Sequence, residues 1–144
     1  MAADFDFSRE IVADASFILA LLLPDEKIKP TAAYFLEQYE QGKIDLVSSQ
    51  LLNFEVVNGL RTAVLRKRIE LGSAIQLMDK FLKLEIKRKE VNFRQVFKAA
   101  LDFSLSVYDA SYFILAKDQR LALATADKKF SQKIKKELNS IILL

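Results

Sequence analysis

Carboxylates are the side chains of this sequence best suited to chemistry, because the chain of 144 residues contains no histidine and no cysteine. Imidazole general bases, thiolate metal sites, disulfides and Ser-His-Asp triads are therefore excluded by composition. Four acidic residues stand where they could act together: Asp14, Glu55, Asp109 and Asp127. The formal net charge of +3 permits a polyanionic partner without requiring one.

Two of these acids follow predicted strands. Asp14 comes directly after the apolar residues 11–13, and Asp127 comes just past the apolar residues 121–125. Asp109 opens the helix that leads into the second of these strands. Strands with so little polar content are typical of a parallel sheet covered by helices, where ligands bind beyond the carboxyl ends of the strands. If the two strands are neighbours, these three acids converge.

Glu55 is predicted to join the group from a helix. On a helical wheel it shares a stripe with Asn58, Gly59, Thr62 and Arg66. The opposite, apolar stripe is expected to face the core and consists of Val57, Leu60 and Val64. A glutamate on the side of a helix away from the core is usually only solvated, so the assignment of Glu55 depends on its proximity to the other acids.

A simpler role is open to the three aspartates, since aspartate is a preferred N-cap and each is predicted to precede a helix. Two nearby hydroxyls, Ser16 and Thr125, could orient a carboxylate or a water, or could satisfy a local backbone group instead. If the four carboxylates do gather in one place, they repel one another and raise one another's pKa values. Residue types alone leave the capping and catalytic interpretations open.

A cation would relieve the repulsion within such a cluster. Hard oxygen ligands without soft ones suit Mg²⁺ or Mn²⁺, which bind through a few carboxylates and substrate phosphate oxygens. The ion can turn a bound water into a nucleophile and stabilise charge on a phosphoryl oxygen. Hydrolysis of a phosphodiester bond is the reaction that this set of residues favours.

The elements that position the acids alternate between helices and strands, which predicts one α/β domain with a mostly parallel five-stranded sheet. Strands are predicted over residues 11–13, 44–47, 84–91, 121–125 and 141–144. Helices are predicted over residues 15–23, 30–41, 92–105, 109–117 and 128–138. A long third helix follows Ser48 or Ser49 and ends at about residue 68, and a fourth helix begins at Ser73. Residues 1–10 are expected to be a flexible leader, with the domain over residues 11–144.

Cap signals support several of these boundaries. They are Pro30 at a first helical turn, Gly42 as a C-terminal stop, Ser48 or Ser49 as an N-cap, and the patterns Ser73-x-x-Gln76 and Asn92-x-x-Gln95. The predicted third strand carries Lys87, Arg88 and Lys89, charges that discourage pairing at a sheet edge. The apolar residues 17–23 are too few to span a bilayer, so a soluble, cytoplasmic protein with no membrane partner is expected.

Four segments resemble the PIN domain, and specifically the VapC-like toxin ribonucleases. They are IVADAS at residues 11–16, NFEVVNGLR at 53–61, VYDASYFILA at 107–116 and LATAD at 123–127. The resemblance implies that Asp14, Glu55, Asp109 and Asp127 hold the metal and carry catalysis, supported by Asn58, Ser16 and Thr125. Some relatives have a further polar ligand shortly after the last acid, where this chain has Lys128 and Lys129, so a second metal is open.

The same resemblance implies a sheet of strand order 3-2-1-4-5, cleavage of RNA with Mg²⁺ or Mn²⁺, a homodimer, and inhibition by a VapB-like antitoxin. The apolar helical region 15–35 could offer that partner a groove. Cations that could contact the RNA backbone are Arg61, Arg66, Lys67, Arg68, Lys117, Arg120, Lys128 and Lys129. Each of them is equally compatible with a solvated surface charge.

Two other functions compete with this interpretation. A phosphatase or receiver could use Asp14 as a covalent acceptor, but such phosphatases usually need a second aspartate two residues later, where this chain has Ser16. The chain could also be a non-catalytic binding module with a PIN fold. The retention of acids at all four positions favours catalysis.

Overall fold

The computed structural model describes residues 10–25, 27 and 29–144. Five strands form one parallel sheet in the order β3-β2-β1-β4-β5, which confirms the predicted fold class and strand order. The strands are β1 Glu10–Ala13, β2 Asp45–Ser49, β3 Lys87–Lys89, β4 Ala122–Thr125 and β5 Ile141–Leu143. The expected leader lies outside the described residues, apart from Glu10, which begins β1.

Seven helices cover the sheet in the described part of the chain. They are α1 Ala15–Leu22, α2 Pro30–Glu40, α3 Leu52–Leu65, α4 Leu71–Leu82, α5 Phe93–Asp102, α6 Val107–Gln119 and α7 Lys128–Ile134. Helix α6 lies against β1, β2 and β4, and its residues 110–116 are all buried. None of the described helices is long and apolar enough to cross a membrane.

The central strands β1 and β4 bring distant parts of the chain together. Ile11 pairs with Ala122, and Ala13 pairs with Ala124. Every residue of β4 is buried, as are the last three of β1, because helices pack on both faces of the sheet. The residues that follow these two strands therefore emerge side by side at the same edge, as the sequence predicts.

The cap predictions are right at Asn92 and wrong for α3 and α4. The Asn92 side chain accepts a hydrogen bond from the backbone N–H of Gln95 at 3.1 Å. Ser48 and Ser49 belong to β2 instead of capping α3, and the Ser48 hydroxyl donates to the Ala13 carbonyl at 2.6 Å. Ser73 lies inside α4, whose N-cap is Glu70, so no capping box forms there. Tertiary contacts of β2 outweigh the local capping pattern.

The buried side of α3 differs from the predicted one. Leu60 is buried as expected, but its buried companions are Leu52, Val56 and Ala63, whereas Val57 and Val64 are only partly buried. Gly59 does not face solvent, because a Cβ added to it would lie 2.3 Å from Leu19 Cδ1. The close packing of α1 on α3 thus requires a residue without a side chain at position 59.

Candidate active site

Asp14 is the most buried of the four acids, with only 3% of its surface exposed. It caps α1, since its Oδ1 accepts hydrogen bonds from the backbone N–H of Phe17 at 2.9 Å and from the Ser16 hydroxyl at 2.7 Å. Its Oδ2 accepts a hydrogen bond from the Thr125 hydroxyl at 2.5 Å. The capping prediction is confirmed here, and the contact with Thr125 adds a second function that capping does not require.

The hydroxyls of Ser16 and Thr125 connect the ends of β1 and β4. The two oxygens lie 3.1 Å apart. Ser16 Oγ accepts a hydrogen bond from the Ala126 N–H at 2.9 Å, and Thr125 Oγ1 accepts one from the Asp127 N–H at 3.0 Å. This network fixes the Asp14 carboxylate relative to the segment that carries Asp127.

Asp109 and Asp127 have different relations to their helices. Asp127 is the N-cap of α7, because its Oδ1 accepts a hydrogen bond from the Phe130 N–H at 3.0 Å. Asp109 lies within the first turn of α6, whose N-cap is Ser106, and the Asp109 N–H donates to the Ser106 hydroxyl at 3.0 Å. The expectation that Asp109 precedes a helix, and with it the N-cap alternative, is therefore wrong. Its carboxylate lies in the first turn and interacts with the hydroxyl of the N-cap Ser106.

Glu55 is linked to α6 by a buried tyrosine. The Tyr112 hydroxyl donates a hydrogen bond to Glu55 Oε1 at 2.6 Å. Tyr112 is 1% exposed and lies one turn after Asp109 on α6. The bond therefore brings the first turn of α3 towards the part of α6 that carries Asp109, and it holds one of the two carboxylate oxygens of Glu55.

The four acids interact electrostatically. Burial raises the pKa of Asp14 to about 6, the hydrogen bonds from Thr125, Ser16 and Phe17 oppose the rise, and Asp109 adds to it. Burial also raises the pKa of Glu55, an effect that the Tyr112 hydroxyl opposes and the charge of Asp109 reinforces. The pKa of Asp109 is raised, first by burial and then by Asp127.

Asp109 is thus the shared neighbour of the other three acids, so all four carboxylates lie in one region of negative potential. Among the described residues, no three acidic side chains are already close enough to enclose an ion. The donor chemistry, carboxylate oxygen alone, suits Mg²⁺ or Mn²⁺, which keep several waters and need few direct carboxylate ligands.

The other predicted site residues are dispersed. Asn58 is exposed on α3, one turn beyond Glu55. Lys128 is exposed directly after Asp127, at the acidic edge. The remaining cations are exposed at varying distances from the acids, and they are Arg61, Arg66, Lys67, Arg68, Lys117, Arg120 and Lys129.

Several of these cations lie away from the four acids or pair with other residues. Lys117 lies about 12 Å further along α6 than Asp109 and forms an ion pair with Glu137 at 3.6 Å. Arg120 follows at the C-terminal end of the same helix. Arg68 pairs with Asp25 at 2.7 Å. The geometry therefore brings Lys128, and not Lys117, Arg120 or Arg68, next to the acids.

Sequence reasoning did not identify Tyr112 or Lys133 as members of the site. Tyr112 could have been found from its spacing of one helical turn after Asp109, which places both side chains on one face of α6. Lys133 on α7 lowers the pKa of Asp109, in opposition to the burial that raises it, and its Nζ donates to the Ser104 carbonyl at 2.8 Å. No local sequence pattern indicates that Lys133 lies near Asp109.

Comparison with known proteins gives a consistent family assignment. The family model described as the PIN domain matches residues 11–136. Ribonuclease VapC3 of Pyrobaculum aerophilum is 27% identical over 86% of this chain and 94% of its own length. Ribonuclease VapC9 of Mycobacterium tuberculosis is 32% identical over 84% of this chain and 88% of its own length.

The fold has a solved counterpart. The crystal structure of PAE2754 from Pyrobaculum aerophilum superposes with a TM-score of 0.70 and covers 93% of this chain and 88% of its own. At 23% sequence identity, this likeness supports the fold alone. It agrees with the parallel sheet and strand order described above.

Proposed function

The chain belongs to the PIN domain family, and from that membership we propose that it is an endoribonuclease that hydrolyses RNA phosphodiester bonds with Mg²⁺ or Mn²⁺. The observation that carries the proposal is the group of four carboxylates at the carboxyl edge of the sheet, three of which have raised pKa values. The names of the matched relatives, both ribonucleases, support RNA as the substrate.

In this proposal Asp14, Glu55, Asp109 and Asp127 hold the metal. The bound ion supplies an activated water and stabilises negative charge on the phosphoryl group. The chain supplies position: Ser16 and Thr125 fix the buried Asp14 carboxylate, and Tyr112 fixes one oxygen of Glu55. Asp109 and Asp127 are only partly buried, so a phosphodiester can approach them from solvent.

The residue two positions after Asp14 argues against the phosphatase or receiver alternative. Phosphatases that use an aspartate as covalent acceptor usually need a second carboxylate at that position. The position is occupied by Ser16, whose hydroxyl donates to Asp14 Oδ1 at 2.7 Å. A non-catalytic binding module would bind RNA without cleaving it, and the assay below separates that outcome.

The proposal is tested by cleavage of a fluorescently labelled single-stranded RNA by purified protein. Cleavage should disappear in EDTA and return when Mg²⁺ or Mn²⁺ is added in excess. The Glu55→Gln variant, purified in parallel, reports contaminating nuclease. Undiminished wild-type cleavage in EDTA, from a preparation whose Glu55→Gln counterpart is inactive, would refute metal dependence. Binding without cleavage under every metal condition would favour the binding module.

We further propose that a small VapB-like antitoxin binds the protein and suppresses this activity in the cytoplasm. Support comes from the VapC names of the relatives. The expected groove is not formed between the described helices α1 and α2, because the apolar space lined by Phe17, Leu21 and Phe35 has a volume of only about 10 Å³ and belongs to the core. Co-expression with the product of the adjacent small open reading frame should yield an inactive complex. If that product neither binds nor inhibits, the toxin-antitoxin pairing is wrong while the nuclease proposal stands.

A homodimer is also proposed. Helix α5 exposes three large apolar side chains on one stripe, Phe93, Phe97 and Leu101, each more than 60% accessible. Contiguous apolar surface of this kind is typical of protein interfaces. Light scattering after gel filtration should give twice the chain mass, and Phe97→Lys should give the monomer. A monomeric wild type across the accessible concentration range would contradict the dimer.

A further inference from the structure

Arg88 is held in a fixed position at the edge of the sheet. The side chain is partly buried, and its Nε and Nη2 donate to Asn53 Oδ1 at 3.2 and 2.5 Å. Its Nη1 donates to the Ile86 carbonyl, and its guanidinium lies over the Phe81 ring at 5.8 Å from the centroid. The sequence suggests only a charge that discourages edge pairing, but these contacts orient Arg88 from several sides.

This position is close to the acidic group. Arg88 pairs with Ser48 in the β2–β3 ladder, and the Ser48 hydroxyl reaches the last carbonyl of β1, so Arg88 is near the carboxyl edge. Asn53 lies in the same first turn of α3 as Glu55. Arg88 also interacts electrostatically with the Tyr112 hydroxyl, which bonds to Glu55.

The contacts of Arg88 neither balance its charge nor use all of its N–H donors. Its acceptors, the Asn53 amide oxygen and the Ile86 carbonyl, are neutral, and no ion pair within the described ranges includes Arg88. A guanidinium has five N–H donors, so two remain beyond the three used here. A planar cation that is already oriented, with donors to spare, suits the oxygens of a phosphodiester and loses little conformational freedom on binding.

We propose that Arg88, positioned by Asn53 and Phe81, binds a backbone phosphate of the RNA beside the acidic group. This inference rests on the proposed ribonuclease function and adds a substrate contact that lies on β3, apart from the four acids. A phosphate contact tracks the backbone in any sequence, so Arg88 contributes affinity and register instead of base specificity.

The test measures RNA binding without cleavage. A fluorescein-labelled single-stranded RNA of mixed sequence is titrated with the full chain carrying Asp109→Asn, in Mg²⁺, across a series of KCl concentrations. Adding Arg88→Gln should weaken binding about tenfold or more, as expected for a lost charge-assisted hydrogen bond. The slope of log affinity against log salt should become shallower by about 0.7, the value for one phosphate contact with a single strand.

Two further variants separate this contact from general effects. Lys43→Gln removes the same charge just before β2, at the opposite edge of the sheet, and should leave affinity and slope unchanged. Asn53→Ala keeps the charge of Arg88 but removes its acceptor, so the slope should be retained while affinity falls severalfold. Circular dichroism melts establish that each variant is folded. If Arg88→Gln disturbs folding, Arg88→Lys takes its place, with unchanged slope and weaker binding expected.

Two outcomes would overturn the inference in different ways. If the parent binds RNA and the Arg88 and Lys43 variants show the same affinity and slope, Arg88 does not contact phosphate while the ribonuclease function stands. If the wild-type chain neither cleaves nor binds the RNA with any metal, the proposed function fails and the inference fails with it.

Discussion

The substitution Asp14→Asn should stabilise the metal-free protein at neutral and alkaline pH. Burial raises the pKa of Asp14 from 3.8 to about 6, so the folded state binds a proton more tightly than the unfolded state does. The stability that comes from the protonated group is complete below pH 3.8 and is lost as the pH rises through about 6. The shift of about 2 units corresponds to roughly 3 kcal/mol of unfolding free energy at pH 8.

Asparagine can satisfy every hydrogen bond of this site without the charge. Its oxygen can still accept from Ser16 and Phe17, as Oδ1 of Asp14 does. Its amide nitrogen would replace Oδ2 and donate to Thr125 Oγ1, whose own proton can turn to Ser16 Oγ, 3.1 Å away. Asparagine also caps a helix about as well as aspartate. Because no polar group loses its partner, the variant should keep most of the stability that is gained by removing the buried charge.

The assay is a pair of thermal melts of wild type and Asp14→Asn in EDTA. At pH 8 the variant should melt higher by up to about 9 °C, at roughly 3 °C per kcal/mol for a chain of this size. At pH 4.5 the free-energy difference should shrink to about a third, because wild-type Asp14 is then largely protonated when folded. A variant that melts lower at pH 8, or a difference that does not change with pH, would refute the electrostatic reasoning.

Two further substitutions test the roles of neighbouring residues. Asp127→Asn keeps an oxygen that can accept from the Phe130 N–H, so the unfolding free energy in EDTA should stay within about 0.5 kcal/mol of wild type. Mg²⁺-dependent RNA cleavage should nevertheless be lost. Retained cleavage would show that Asp127 is not part of the site. Tyr112→Phe removes the donor to Glu55 and should cost about 1–2 kcal/mol of stability. It should also raise the Mg²⁺ concentration for half-maximal cleavage about tenfold, and an unchanged midpoint would show that Tyr112 does not position a ligand.

The fold is largely predictable from the sequence because its central strands are continuous apolar runs. Residues 11–13 and 122–125 contain no charged residue, and a strand buried on both faces of a parallel sheet needs that composition. The positions of Asp14 and Asp127 follow directly from the ends of those strands. The bounds shift by up to four residues: α7 ends at Ile134 instead of 138, and β3 begins at Lys87 instead of 84. Element ends are the part of a fold that local sequence patterns determine least.

The errors occur where a local signal competes with a distant contact. Ser48 and Ser49 fit the pattern of an N-cap, yet β2 continues through them because the Ser48 hydroxyl bonds to Ala13 and that of Ser49 accepts from Ser111. The buried stripe of α3 was misplaced because Gly59 packs against Leu19, a contact that a helical wheel of one helix cannot include. These partners lie far away in sequence and no short pattern contains them.

The contacts of Arg88 and Tyr112 could not be predicted for the same reason. Tyr112 reaches a partner 57 residues earlier and Arg88 one 35 residues earlier. Taken alone, Tyr112 is one more large side chain on a buried helix, and Arg88 is one of three successive cations on an edge strand. Their functions become visible only when the sheet places α3, α6 and β3 around one edge.

The capping and metal-binding interpretations of a strand-end aspartate are not exclusive. A carboxylate has two oxygens, and Asp14 uses one for the backbone of α1 while the other accepts from Thr125, the last residue of β4. Capping therefore explains why the residue is tolerated there, but a cap needs neither deep burial nor the nearby charge of Asp109, both of which make the ionised form costly. A bound cation would offset that cost, so metal affinity and metal-free instability should vary together among variants of this site.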